Sequence, residues 1–496
     1  MTDILLTHSN HLFFDRKQVR KMQPYPPLGT LYAAALLRDQ GFSVALFDTM
    51  VKNPDTEFEK ALARHQPGVV VVYDDDFNFL SKMCLSRMRT VAFGILRRCK
   101  AAGITVIVHG SDATDHLADY LREGFDFVLV GEAEETLSEL LKHLLRRDPL
   151  LPTEIRGLAF LDQRSGQLIR TSVRKLMPNL DALPFPAWDL VDMPTYRKLW
   201  NEAHGFFSLN LVSSRGCPYH CNWCAKPIYG TSYNCRSPEN VAREMRFLKD
   251  RYAPDHLWFA DDIFALRPAW TDQFASAVKN LDAAIPFKMQ SRVDLITPAT
   301  AQALGAAGCV EVWMGAESGS QKILNAMEKG TKVGQISQAT QALKSAGIRA
   351  CYFLQFGYPG ETWSDIQATI QLVRQTQPHD VGISVAYPLP GTRFYEMVHE
   401  QLTGKTNWDD SEDLAMLFHG TYSKEFYGAL HDALHFEVDL RNRLQSSSLK
   451  PVEASEWAAL CRHWLRVEEL EVRCRNSNPT ELSKKSGEEE LRAVNY

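Results

Sequence analysis

The sequence predicts an α/β protein in two parts, a doubly wound parallel sheet and then a partial barrel of six β/α units, followed by a helical region. Three observations carry this. Residues 1–147 and 208–395 both alternate short β-rich runs with helical stretches, the rhythm of parallel sheets. The runs are almost continuously apolar, as strands become when helices cover both faces. Residues 148–207 break the rhythm, and beyond Phe394 the strand signal fades.

In the first part, strands are expected at residues 4–8, 43–48, 68–74, 104–110 and 125–132, with helices at 28–40 and 80–102 among those between them. Gly41 and Gly103 stand where helices are commonly capped. Five such units suggest a flavodoxin-like sheet, whose ligands sit outside the carboxyl ends of the strands. Those ends carry Asp48, the run Asp74-Asp75-Asp76, His109-Gly110-Ser111 and Gly131-Glu132. Three consecutive aspartates on a loop are read as solvated or helix-capping rather than metal-binding.

Residues 148–207 are expected to form a hairpin and a linker. The segments 155–160 and 167–172 flank the turn Asp162-Gln163-Arg164-Ser165-Gly166. Pro184 and Pro186 then favour an extended connector. The barrel strands are expected at 208–214, 256–261, 287–294, 310–317, 349–356 and 380–387, with helices such as 241–252, 298–307 and 364–376. The site of such a barrel lies at the carboxyl ends of its strands. Residues 396–475 read as helical. Residues 476–496, rich in Ser, Lys and Glu, read as disordered.

The bulk composition narrows the function. Hydrophobic residues make up 45% and charged residues 23% of the 496, with a formal net charge of −5. A nucleic-acid partner, which would demand a basic face, is not expected. No apolar run approaches the roughly 18 residues of a transmembrane helix. The start of the chain lacks the marks of a secretory leader, so a cytoplasmic location is expected. There, ten scattered cysteines argue against a disulfide framework.

Three of those cysteines stand apart. After the first barrel strand the chain reads Cys217-Pro218-Tyr219-His220-Cys221-Asn222-Trp223-Cys224. Structural zinc prefers paired C-x2-C or cysteine–histidine sets, and His220, adjacent to Cys221, would point awkwardly as a fourth ligand. Three thiolates on one loop suit a [4Fe–4S] cube, which normally takes four, and so leave one iron open.

This C-x3-C-x-aromatic-C loop resembles the radical S-adenosylmethionine (SAM) superfamily. The resemblance implies that Cys217, Cys221 and Cys224 ligate the cluster while SAM chelates the open iron. It places Trp223 near the adenine, and Asp261, Arg292, Glu317 and Ser318, at the ends of strands two to four, near SAM. The loops Gly357-Tyr358-Pro359-Gly360-Glu361-Thr362 and Tyr387-Pro388-Leu389-Pro390-Gly391-Thr392 are similar to those after strands five and six.

The first part resembles the cobalamin-binding domain attached to many radical SAM proteins, as in class-B methylases and the anaerobic magnesium-protoporphyrin ester cyclase. By that resemblance Pro27, Leu28, Gly29, Asp48, Gly110, Ser111, Gly131 and Glu132 contact cobalamin. The D-x-H-x-x-G segment that supplies a histidine beneath cobalt is absent, and the family's Gly-Gly-Pro-His run appears as His109-Gly110-Ser111-Asp112. His109 stays a candidate lower ligand, though its place at a strand end suits polar packing better.

The implied reaction is radical methylation of an unactivated carbon of a small-molecule or lipid-like substrate. A 5′-deoxyadenosyl radical abstracts hydrogen, cobalamin delivers the methyl group, and an external donor such as flavodoxin or ferredoxin supplies electrons. Two alternatives stay open: an oxygen-independent oxidative cyclase or hydroxylase, and a non-catalytic cobalamin- or SAM-binding module.

Overall fold

The computed structural model describes residues 2–83, 86–402, 414, 417–418, 420–445 and 452–477. Its first sheet contains β1 (Ile4–Thr7), β2 (Val44–Phe47), β3 (Val69–Tyr73), β4 (Thr105–His109), β5 (Phe127–Leu129), β6 (Leu158–Leu161) and β7 (Leu168–Arg170). The order is β2-β1-β3-β4-β5-β6-β7. The first five strands are parallel, in the flavodoxin-like order. Their side chains are buried on both faces because helices flank them, Leu28–Asp39 and Glu134–Arg146 in one core, Pro54–His65 and Ser86–Ala101 in the other.

The expected hairpin forms, and it extends the first sheet: β6 pairs antiparallel with β5, and β7 with β6. Leu158 and Ala159 are fully buried there. This covers an edge that β5 would otherwise leave unpaired. The helix expected over 80–102 is described as Phe79–Lys82 and Ser86–Ala101, with residues 84 and 85 outside the described set. Gly41 and Gly103 take positive φ of 80° and 68° behind their helices.

The second sheet is the partial barrel. It comprises β8 (Ser208–Leu211), β11 (His256–Phe259), β12 (Phe287–Arg292), β13 (Cys309–Glu317), β14 (Arg349–Phe356) and β15 (Asp380–Val385), parallel neighbours in that order. A two-stranded ribbon, β9 (Ser214–Arg215) with β10 (Asn234–Cys235), follows β8 and was not anticipated. Helices Lys424–Gln445 and Ala454–Ser477 form the C-terminal region. Glu437 ties them to the barrel, accepting from Arg374 at 2.9 Å and from Trp464 Nε1 at 2.7 Å. The tail expected to be disordered lies outside the described residues except for 476 and 477, which end the last helix. Among the described residues no helix is long and apolar enough to cross a membrane.

One apolar cluster runs from Leu28, Leu31 and Tyr32 through Trp188 and Trp200 into the barrel. The two sheets therefore share a core. Tyr25 reaches β8 at Ser208 (3.1 Å), and Asn210 donates to the Pro26 carbonyl at 2.9 Å.

Candidate active site

The cysteine loop leaves β9 at Gly216, whose φ of 78° and close approach to the Ser232 carbonyl leave no room for a side chain: a Cβ would come within 2.1 Å of that oxygen. Cys217, Cys221 and Cys224 follow, all half-buried and none in a disulfide among the described residues. Lys226 ties the loop down by donating to the carbonyls of Cys217 (3.0 Å) and Tyr219. Asn222, buried, fastens its far side: its N–H donates to the Met327 carbonyl (3.1 Å), its amide to the Ala326 carbonyl (2.8 Å), and it accepts from Tyr358 OH (3.0 Å). The loop is thus clamped to the turns after β13 and β14 before any ligand arrives. Its donor set fits an iron–sulfur cluster held by three thiolates. His220 is exposed and takes no part in the clamp.

Arg292, at the end of β12, lies beside this loop. Its guanidinium stacks 3.7 Å from the Tyr219 ring centroid, donates to Cys221 Sγ at 3.7 Å and pairs with Asp294 at 2.9 Å. Glu317, at the end of β13, is buried in left-handed backbone (φ 60°), where the strand register shifts. Lys329 pairs with it at 2.7 Å, and the Lys329 ammonium lies 5.9 Å from the Trp223 ring centroid. Burial opposes the charge of Lys329, but the Glu317 carboxylate holds its pKa above the ordinary range. Gly315 leaves the space for this pair, since a Cβ there would fall 2.6 Å from Lys329 Nζ. Trp223 Nε1 is buried with no partner among the described residues. An orphaned donor beside a charged pair fits a polar, zwitterionic ligand such as SAM.

Asp261 and Ser318 are placed differently from what their positions suggested. Asp261 is fully buried and accepts from the Ser213 N–H (3.1 Å), Ser213 Oγ (2.7 Å) and Ser214 Oγ (2.5 Å), fastening the end of β8 to that of β11. Burial pushes its carboxyl up to about 6 despite those bonds. The Ser318 hydroxyl faces helix Trp363–Thr376, 3.2 Å from Thr369 Oγ1. Both side chains hold the scaffold, which leaves Trp223, Arg292 and Glu317 gathered at the loop.

At the edge of the first sheet most of the singled-out carboxylates are engaged by the protein itself. Asp48 accepts from Tyr196 OH (2.8 Å) and bonds His8 Nε2 (2.9 Å). Glu132 and Glu134 grip Arg215 at 2.5 and 2.6 Å, a buried triad joining the sheet edge to the strand before Cys217. Of the two expectations for the three aspartates, solvated or helix-capping, the first fails, since all three are buried, and the second holds for Asp75, which meets the start of helix Leu28–Asp39. Asp74 accepts from the Ser9 N–H (2.7 Å), Asp75 from the Gly29 N–H (2.9 Å), and Asp76 bonds His109 Nε2 (2.8 Å). Pro27, Leu28 and Gly29 begin a helix, and of these only the Gly29 N–H meets Asp75. His109 is fully buried, with Nδ1 3.4 Å from the Leu129 carbonyl, so both ring nitrogens are occupied.

What this edge offers a ligand is smaller groups. Ser9 Oγ, Asp76 Oδ1 and Ser111 Oγ, at the ends of the adjacent strands β1, β3 and β4, are buried without partners among the described residues. Gly110, at φ 149°, leaves no room for a side chain, since a Cβ there would come 3.0 Å from Asp74. Gly131, at φ 75°, has open space on the side a Cβ would take, where such an atom would meet only the Ile228 carbonyl, at 3.9 Å. Orphaned hydroxyls beside open glycine backbone fit a large amide-rich cofactor such as cobalamin. Sequence reasoning missed Lys329, Arg215, Lys226 and Asn222. The latter two lie within or just after the cysteine motif and were within reach of it.

Comparison with known proteins agrees with this geometry. Residues 211–373 match the family model described as the radical SAM superfamily, and residues 22–141 that of the B12 binding domain. An uncharacterised methyltransferase of Pyrococcus horikoshii is 26% identical over 389 residues, 77% of this chain and 81% of that protein. The anaerobic magnesium-protoporphyrin IX monomethyl ester cyclase of Synechocystis is 23% identical, covering 77% and 76%. Among solved structures, the radical SAM methyltransferase TsrM of Kitasatospora setae superposes with a TM-score of 0.66 at 19% identity, over 81% of this chain and 78% of that one. The cobalamin-dependent radical SAM enzyme OxsB superposes at 0.71 and 18%, over 100% and 75%. The likeness to these two structures is one of fold.

Proposed function

We propose that this chain, which belongs to the radical SAM enzymes carrying a B12-binding domain, methylates an unactivated carbon of a small molecule. The observation that carries the proposal is a three-cysteine loop clamped at the barrel mouth and joined, through Arg215, to the edge of a sheet built to receive a large ligand. When bound, the cluster and SAM supply a 5′-deoxyadenosyl radical, and cobalamin supplies the methyl group.

The chain's own residues bind and orient. Cys217, Cys221 and Cys224 hold the cluster, and Lys226 and Asn222 keep their loop from moving. Glu317, preorganised by Lys329, receives the SAM ammonium, Arg292 balances negative charge at the thiolates, and Trp223 lies against the adenine. A pair fixed before binding lowers the ordering cost of the ligand. Ser9, Ser111 and the backbone at Gly110 and Gly131 receive cobalamin, and His8 and His109, whose ring nitrogens already have partners, would not ligate the cobalt. Electrons come from an external flavodoxin- or ferredoxin-like donor, and the protein works in the cytoplasm.

Anaerobic assay of the reconstituted protein with SAM and a reductant tests this. Joint formation of 5′-deoxyadenosine and S-adenosylhomocysteine, the latter dependent on added cobalamin, is expected. Formation of 5′-deoxyadenosine alone would replace methylation by a cyclase-type reaction, the activity named for the Synechocystis relative.

A further inference from the structure

Along each barrel strand, side chains point alternately toward the helices and into the lumen. On β14, Ala350, Tyr352, Leu354 and Phe356 are buried in the core shared with the helices, so Phe353 and Gln355 take the lumen face. On β13, burial of Val312 and Met314 sends Trp313 the same way. Trp313 and Phe353 stack with ring centroids 5.0 Å apart and planes inclined by 29°. Phe353 is nonetheless 38% exposed, although it lies within the sheet. Gly382 on β15 makes room for the stack: a Cβ there would come 3.2 Å from Trp313 and 3.3 Å from Phe353. The lumen thus presents a flat aromatic face with nothing described upon it.

A lysine lies on the neighbouring strand, opposite Glu311. Lys288 on β12 lies 6.0 Å from the Trp258 ring centroid and 5.9 Å from that of Tyr25, and no ion pair reaches it among the described residues. Glu311, its neighbour across the sheet and two residues before Trp313, is already held by Arg349 at 3.0 Å and by Trp313 Nε1 at 2.8 Å. Burial lowers the Lys288 pKa, and Glu311 across the sheet opposes this in part. Two residues beyond Phe353, toward the cysteine loop, Gln355 Oε1 is buried without a partner among the described residues.

The geometry points to a substrate that is a planar conjugated molecule bearing a carboxylate. Its ring system would lie on Trp313 and Phe353, its carboxylate would meet Lys288, and one of its donors would reach Gln355. This rests on the proposal that the barrel mouth carries the radical chemistry, and it narrows the substrate class there. A saturated lipid chain would gain area on the aromatic face but would leave both Lys288 and Gln355 unmatched.

Equilibrium dialysis and saturation-transfer NMR on the reconstituted holoenzyme test this with three probes: 2-naphthoate, the neutral 2-naphthamide and the saturated decalin-2-carboxylate. 2-Naphthoate binds about tenfold more tightly than either comparator if ring and charge both count. Lys288→Met brings it down to the level of the amide, whereas Lys288→Arg restores the preference. Trp313→Leu weakens both aromatic probes and leaves decalin-2-carboxylate unchanged. Equal affinity for the three probes, no saturable binding of 2-naphthoate, or unaltered binding in both Lys288→Met and Trp313→Leu overturns the assignment. Cluster absorbance and SAM cleavage are read on the same samples. Their absence in the unmodified protein contradicts the radical chemistry, and their presence with the wrong probe order contradicts the substrate class alone.

Discussion

At the carboxyl ends of the barrel strands, Trp223, Arg292 and Glu317 gather around the cysteine loop, each beside a neighbour that charges or orients it. At the carboxyl ends of the first sheet, Asp48, Asp75 and Glu132 are already bonded to Tyr196, Gly29 and Arg215. The difference separates two ways of making a site. The barrel end works through ionised side chains held in pairs away from water, Glu317 with Lys329 and Arg292 with Asp294. The sheet edge spends its carboxylates on joining the two halves of the protein. It leaves glycine backbone and small hydroxyls for the ligand, as suits a cofactor that brings its own reactive metal.

The sharpest way to break this contrast is to remove the joint. Arg215→Met strands Glu132 and Glu134 as buried carboxylates, and breaking a buried pair of this kind costs about 3–5 kcal/mol. Unfolding by urea should show that loss, while the cysteines of the variant still assemble a cluster at moderate temperature. A change below about 1 kcal/mol, the range of surface pairs, would mean that the triad is solvated in practice.

A smaller effect on binding is expected at the barrel end, beside the folding cost of leaving buried Lys329 without its partner. Glu317→Gln keeps the shape but removes the charge, and SAM affinity should fall roughly tenfold, about 1.4 kcal/mol. Isothermal titration of the cluster-loaded variant measures it. Unchanged SAM affinity would show that Glu317 serves Lys329 alone.

The smallest effect concerns His109. Because Asp76 and the Leu129 carbonyl occupy its ring, His109→Asn should leave the electron paramagnetic resonance spectrum of bound cob(II)alamin unaltered. The unmodified protein should show no nitrogen splitting from a protein imidazole. Such a splitting, lost in the variant, would move His109 from the scaffold to the cobalt.

The strands of both sheets were legible because their apolar runs are local, and the cysteine loop because its three thiols fall within eight residues. Lys329 was not, since it meets Glu317 only after the chain has turned through helix Gln321–Ala326. Residues 74–76 were legible only in part, as solvated or helix-capping, because their partners Ser9, Gly29 and His109 come from separate segments, which only the folded sheet brings together. The hairpin could be read from its turn, yet nothing in its sequence says that β5 is the edge it covers. Asp261 shows the converse: its position matched the family pattern, but Ser213 and Ser214 take up its oxygens.

The central claim is that one chain holds an iron–sulfur cluster at the barrel mouth and cobalamin at the sheet edge. It is tested most directly by anaerobic reconstitution with iron, sulfide and hydroxocobalamin, removal of unbound material, and quantification of iron, sulfide and cobalt in the protein. The unmodified chain should retain all three, and the variant with Cys217, Cys221 and Cys224 changed together to alanine should lose iron and sulfide but keep cobalt. Full iron content in that variant, or no cobalt retained by the unmodified chain, would contradict the account.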